Sequence, residues 1–91
     1  MISHTTKNFR ELYKKLPTDI QKRAKKQYKL FKVDSFHPSL NFKRVHSALP
    51  IFSARINISY RAVGTLQEDT IVWFWIGDHD DYEKLLKNMG E

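Results

Sequence analysis

The sequence predicts an α+β domain, with an N-terminal two-helix hairpin packed on a curved antiparallel β-sheet and a short C-terminal helix. The sheet should hold about three to four strands, because consecutive strands with short loops pair as a meander. Three observations carry this expectation. Phe9, Leu12, Tyr13 and Leu16, then Ile20, Ala24, Tyr28 and Phe31, repeat with helical period. From Ile51 the apolar pattern changes to period two. Ile71-Val72-Trp73-Phe74-Trp75-Ile76 is an unbroken apolar run, as expected for a central strand covered on both faces.

Taken in order, Met1–His4 is expected to form a very short strand. Thr5 or Thr6 can cap the first helix, since a hydroxyl accepts an orphan backbone N–H. Pro17 ends that helix and can open the next, which should run to about Val33. So short a join makes the pair an antiparallel hairpin. Residues 34–39 form a loop, with His37 biased toward extended geometry by Pro38. Leu40–Val45 alternates apolar and polar and reads as a strand or the approach to one, and Ser47–Pro50 as a turn. In the next strand Ala54, Ile56 and Ile58 should face one way, and Ser53, Arg55 and Asn57 the other. A tight turn near residues 57–59 leads into a strand from Tyr60 to Leu66, and Gln67-Glu68-Asp69 is a hairpin loop. Alternation along the central strand places Trp73 and Trp75 on one face and Phe74 and Ile76 on the other, with Gly77 as the turn at its end. Tyr82, Leu85, Leu86 and Met89 mark a terminal helix of about two turns.

The chain has 91 residues, which suits a single domain spanning 1–91 with one core. It has no cysteine, so neither a disulfide nor a thiolate metal site can support it. Its start lacks the apolar core of a secretory signal, and its longest apolar run is too short to span a bilayer. A cytoplasmic protein with no membrane partner is therefore expected. The formal charge is +6 and the pI about 9.7. Lys7, Arg10, Lys14, Lys15, Lys22, Arg23, Lys25, Lys26, Lys29 and Lys32 crowd the first third, opposed only by Glu11 and Asp19. Such polarity favours a phosphate polymer or an acidic protein as partner, although any single lysine is as well explained by a solvated helix face.

Asp78-His79-Asp80-Asp81 resembles a metal cluster in composition. Adjacent residues at a strand end diverge, however, so no metal site and no cofactor are expected. Metal-independent RNA cleavage fits the residue types better. It needs a base for the 2′-hydroxyl proton, a cation for the charged phosphorane and an acid for the leaving 5′-oxygen. Histidine moves protons near neutral pH, and arginine offers a planar fork for phosphate oxygens. His79, Tyr82, Arg55 and Arg61 are of suitable type. Structural roles explain them equally well: a strand-end histidine bonded to aspartate, a packed tyrosine and cross-strand ion pairs.

Leu16-Pro17, Ile20-Gln21, His37-Pro38-Ser39-Leu40, Phe42-Lys43, Ser53-Ala54-Arg55-Ile56, Tyr60-Arg61-Ala62 and Trp73 through Tyr82 occur in an order that resembles the RelE/ParE superfamily of toxin–antitoxin toxins. The likeness covers nearly the whole chain. It implies a helical hairpin on an antiparallel sheet, a cognate antitoxin, and a type II toxin that cuts mRNA on the ribosome. It implies that Arg61 serves at the scissile phosphate, with Arg55 on the preceding strand as a second cation. His79 matches a histidine that one branch of the family carries near its C-terminus, and Tyr82 falls near an aromatic used against the nucleotide. Lys43, Arg44 and His46 lie where several members carry RNA-binding cations. The lysine-rich helix, with Lys22, Arg23, Lys25, Lys26 and Lys29, is expected to attract ribosomal RNA. The alternative within the family is a ParE-type toxin that poisons DNA gyrase without cleaving RNA.

Overall fold

A computed structural model describes residues 1–90. Its elements, in chain order, are β1 (Ile2–Thr5), α1 (Lys7–Lys14), α2 (Thr18–Val33), a 3-10 turn at Pro38–Leu40, β2 (Lys43–Arg44), β3 (Ile51–Asn57), β4 (Tyr60–Gln67), β5 (Thr70–Asp78) and α3 (His79–Asn88). The sheet has five strands in the order β1-β5-β4-β3-β2. The α+β architecture is the expected one, but the sheet is larger than expected and mixed. β2 through β5 pair antiparallel, whereas β1 pairs parallel with β5. A strand of four residues is too short to show a period, and its partner lies almost seventy positions away (Ile2 opposite Thr70).

Thr6 caps α1, its Oγ1 accepting the Phe9 N–H at 3.1 Å. Pro17 stands outside α2 in extended geometry rather than in its first turn. The helices are joined through Gln21, whose Nε2 donates to Lys14 O and Leu16 O and whose own carbonyl accepts from Tyr13 Oη. Both helices lie on one face of the sheet, α1 over β5 and α2 over β3. Phe31, at the centre of that layer, meets Phe42 and Trp73 edge-on at 5.0 and 5.3 Å. Each such ring stabilises the fold by roughly 1.5–3 kcal/mol through burial. A polar chain crosses the same layer: Trp73 Nε1 donates to Ser3 Oγ at 3.1 Å, and Ser3 Oγ lies 2.9 Å from Tyr28 Oη. Gln27 turns inward on α2, and its Nε2 donates to Arg55 O at 3.0 Å.

β5 departs from simple alternation. Gly64 pairs with Trp73 and Val63 with Trp75, which leaves Phe74 as an extra residue in a β-bulge. Trp73 and Ile76 therefore face the helices, while Phe74 and Trp75 belong to the opposite layer with Tyr82. The expected common face for the two tryptophans is corrected by that one residue. A Cβ on Gly64 would lie 2.8 Å from Val72 O and 2.9 Å from Trp73 Cε3, so only glycine lets the bulged strand come this close. The Asn8 side chain donates to Phe74 O at 3.0 Å, satisfying a carbonyl at the bulge. Gly77 is not a turn. It lies within β5, where a Cβ would come within 2.7 Å of the Trp75 indole.

Other boundaries also shift. Leu40 closes the 3-10 turn, and the expected strand over Leu40–Val45 is reduced to Lys43–Arg44. Ile58 leaves the inward row of Ala54 and Ile56 and stands exposed in the β3–β4 turn. α3 begins at His79, capped by Asp78 Oδ1, which accepts the Asp81 N–H at 2.9 Å. Asp80 and Asp81 sit in its first turn, where the helix dipole favours negative charge. α3 packs Tyr82, Leu85, Leu86 and Met89 on the face away from α1 and α2, against Ile51, Val63 and Trp75.

Candidate functional site

On the α3 face a groove of about 420 Å³ opens between the helix and β2, β3 and β4. Lys43 comes from β2, Arg61 from β4, and His79, Tyr82 and Glu83 from α3, so residues far apart in sequence converge. Pairing explains the convergence. Arg61 stands opposite Gly77 on β5, next to the strand end that starts α3. Lys43 stands opposite Ser53 on β3.

Arg55 and Arg61 are direct cross-strand partners on the groove side of the sheet. Like charges so placed repel, and an anion between them would relieve the repulsion. Arg61 is also tied to the hairpin: its Nη1 donates to Asn57 O at 2.7 Å and to Tyr60 O at 3.0 Å. That orients the guanidinium at the mouth of the groove. Arg55 borders the groove without lining it.

His79 is half-exposed, and its Nε2 lies 3.3 Å from Glu83 Oε1, one helical turn on. Its ring centroid is 6.0 Å from that of Tyr82. Tyr82 is only 7% exposed and packs as part of the α3 core, 6.4 Å from the Trp75 ring centroid. A ring so enclosed forms the wall of the groove and offers little face for stacking on a base. Its expected place against a nucleotide gives way to packing in the α3 layer.

The expected RNA-binding residues divide between two faces. Lys43 and Arg44 are exposed beside the groove, although Arg44 Nε is engaged with His46 O at 3.0 Å. Lys22, Lys25, Lys26 and Lys29 are exposed on α2, on the other side of the sheet. Arg23 belongs to both worlds, since its Nε reaches the β3 carbonyl of Ile56 at 3.1 Å. His46 lies deeper than its neighbours in the basic stretch. It is 8% exposed, its Nδ1 accepts the N–H groups of Ala48 and Leu49, and its Nε2 donates to Met89 O at 2.8 Å. Those bonds fix the loop before β3 to the end of α3 and engage both ring nitrogens.

Asn41, Ser53 and Glu83 also line the groove and escaped the sequence argument. The i, i+4 spacing of His79 and Glu83 was a usable signal. Ser53 becomes a groove residue only through its pairing with Lys43. Among the described residues no group of three His, Asp or Glu side chains converges to hold a metal ion. No helix among them is long and apolar enough to cross a membrane.

A helical hairpin and a terminal helix on opposite faces of a mixed sheet make a fold that recurs in solved structures. The RelB–RelE antitoxin–toxin complex of Methanococcus jannaschii contains a chain matching 90% of this one over 96% of its own length, at TM-score 0.74 and 19% identity. The YoeB/ParE toxin from Agrobacterium tumefaciens matches 87% of this chain over 99% of its length, at TM-score 0.67 and 13% identity. YafQ from Escherichia coli matches 88% over 94%, at TM-score 0.61 and 12% identity. No curated protein sequence matches. The family model of the ParE-like toxin domain matches residues 18–84. The chain belongs to the ParE-like toxin family.

Proposed function

We propose that this chain is the toxin of a type II toxin–antitoxin pair and that it acts as a ribosome-dependent endoribonuclease on mRNA. The observation that carries the proposal is the convergence of Arg61, Lys43 and His79 on one groove from three separate elements. In this reading a phosphate sits at Arg61, with Arg55 as the second cation beside it. The ribose 2′-oxygen attacks phosphorus as its proton passes to a base, the P–O5′ bond breaks, and an acid protonates the departing oxygen. His79 serves as one of these two proton carriers, and Glu83 holds its ring. Tyr82 supports the wall behind it. The exposed lysines of α2 add sequence-independent attraction to ribosomal RNA.

The antitoxin is the second partner. An apolar cleft lined by Phe9, Tyr13, Ala24, Tyr28 and Trp73 opens between α1, α2 and the sheet, with Arg10 and Lys25 among its lining residues. It suits an acidic segment that folds on binding. That affinity should weaken with salt, because much of the attraction is between exposed charges. Equal affinity from low to molar salt would remove the electrostatic part of the argument.

A gyrase-directed toxin is the competing reading, favoured by the ParE-like family match. Pulsed expression separates the two. Mapping mRNA ends and plasmid topology in the same cells should show new mRNA ends and unchanged supercoiling. Inhibited supercoiling with intact mRNA would put gyrase in place of mRNA.

A further inference from the structure

The β3–β4 turn stands beside the groove and is held from several sides. Asn57 Oδ1 accepts the N–H groups of Ser59 and Tyr60 at 2.8 and 3.0 Å. Arg61 Nη1 donates to Asn57 O and Tyr60 O from the groove side. Arg23 Nε, arriving from α2, donates to Ile56 O, and the His79 N–H donates to Ser59 O at 2.8 Å. The turn is thus fixed to β4 and to the start of α3, and Arg23 holds the end of β3 that leads into it.

What this frame holds out is Ile58, 76% exposed. Turns are commonly built from Gly, Asn, Asp or Pro, and a β-branched apolar residue brings no turn-forming advantage. The other large exposed apolar side chains lie elsewhere: Met1 and Ile2 beside the start of β5, Val33 at the end of α2 with Phe36 after it, and Leu49 before β3. Ile58 is the more exposed of the two that stand near groove cations: its turn is bonded by Arg61, and Arg23 and Arg55 lie on the adjoining elements, while Leu49 O accepts from Arg44 Nε. A rigid aliphatic knob ringed by cations has the composition of a nucleic-acid wedge. The cations hold phosphates, while an apolar side chain enters between two bases and unstacks them.

We infer that Ile58 is such a wedge for single-stranded RNA. This rests on the ribonuclease reading of the groove. In a stacked strand the 2′-oxygen, the phosphorus and the 5′-oxygen do not lie in line. Separating two bases at Ile58 turns the intervening ribose, so that its 2′-hydroxyl can align while Arg61 keeps the phosphate. Ile58 is a positioning residue here, and takes no proton.

The test uses the full chain with a short single-stranded RNA carrying 2-aminopurine, whose fluorescence rises on unstacking, and with translating ribosomes read by primer extension. Wild type and Ile58→Leu should raise the fluorescence. Ile58→Ala should not, although its RNA affinity stays within about threefold because the cations are untouched. On ribosomes Ile58→Ala should cut roughly tenfold more slowly, near the low end of what losing a stacking contact costs. Matching thermal melts establish that the variants are folded. No rise with wild type, or an equal rise with Ile58→Ala, overturns the wedge. So does Ile58→Ala cutting at the wild-type rate, while the ribonuclease reading stands. An Ile58-dependent rise without any mRNA cleavage by wild type overturns the ribonuclease reading and, with it, the positioning role of Ile58, leaving only an unstacking contact. Loss of antitoxin binding by Ile58→Ala with its fluorescence rise intact makes Ile58 a protein contact and overturns the wedge.

Discussion

The sheet face under α1 and α2 buries Phe31, Trp73, Ala24 and Ile56, and carries its lysines outward on α2. The face under α3 buries a smaller set, Ile51, Val63 and Tyr82, and leaves cations at the edge of an open groove. The first arrangement is that of a scaffold, where charge is dense but held only by flexible side chains. The second uses few charges and fixes them through strand pairing and hydrogen bonds. Arg61 is anchored by three carbonyls, while the α2 lysines project into solvent. A transition state needs positioned charge, whereas general attraction to RNA needs only charge.

Substitutions can break this division between faces. The largest loss of stability should come from the helix face. Trp73→Ala removes the ring that meets Phe31 and the indole donor to Ser3, and should cost about 3–5 kcal/mol in denaturant unfolding. A loss under 1 kcal/mol would show that this layer does not carry the fold. On the groove face, Arg61→Ala and His79→Ala should each lower ribosome-dependent cleavage by about 10²–10⁴-fold. Both should keep antitoxin binding and relieve growth arrest. Full toxicity with inhibited supercoiling would assign the groove to another task.

His46→Ala tests the border between the two roles. It removes the acceptor for two backbone N–H groups and the donor to Met89 O, and should cost about 1–3 kcal/mol. Cleavage measured well below the melting temperature should change little. A large loss of cleavage in a stable His46→Ala protein would return His46 to the site. The smallest effect belongs to the exposed lysines. Changing Lys22, Lys25 and Lys26 to Gln should leave the melting temperature within error. It should lower the slope of ribosome affinity against salt by about 2–3. Unchanged sedimentation with ribosomes would remove α2 from RNA binding.

Much of the fold was legible because its signals are local. The helical repeat through Phe9 and Phe31, the cap at Thr6 and the period-two strands from Ile51 each depend on neighbours a few positions away. Arg61 and His79 were legible as candidates by type, and by their place in a pattern that resembles a family. The shared groove was not, because it depends on β4 lying beside β5 and β2 beside β3. His46 looked like one more cation in a basic stretch, and nothing local to it shows that the Met89 carbonyl would take up its Nε2.

What the sequence determined by itself is therefore the set of elements, the charge polarity and the chemical types available. Tertiary structure alone decided which of them meet. One extra residue at Phe74 turned Trp75 away from Trp73, and β1 found a parallel partner that no local period announces. Tyr82 was spent on the core and Ile58 was left outside it. Side-chain direction in a strand reverses with each residue, so a single bulge, set by the close approach that Gly64 permits, redistributes every side chain beyond it.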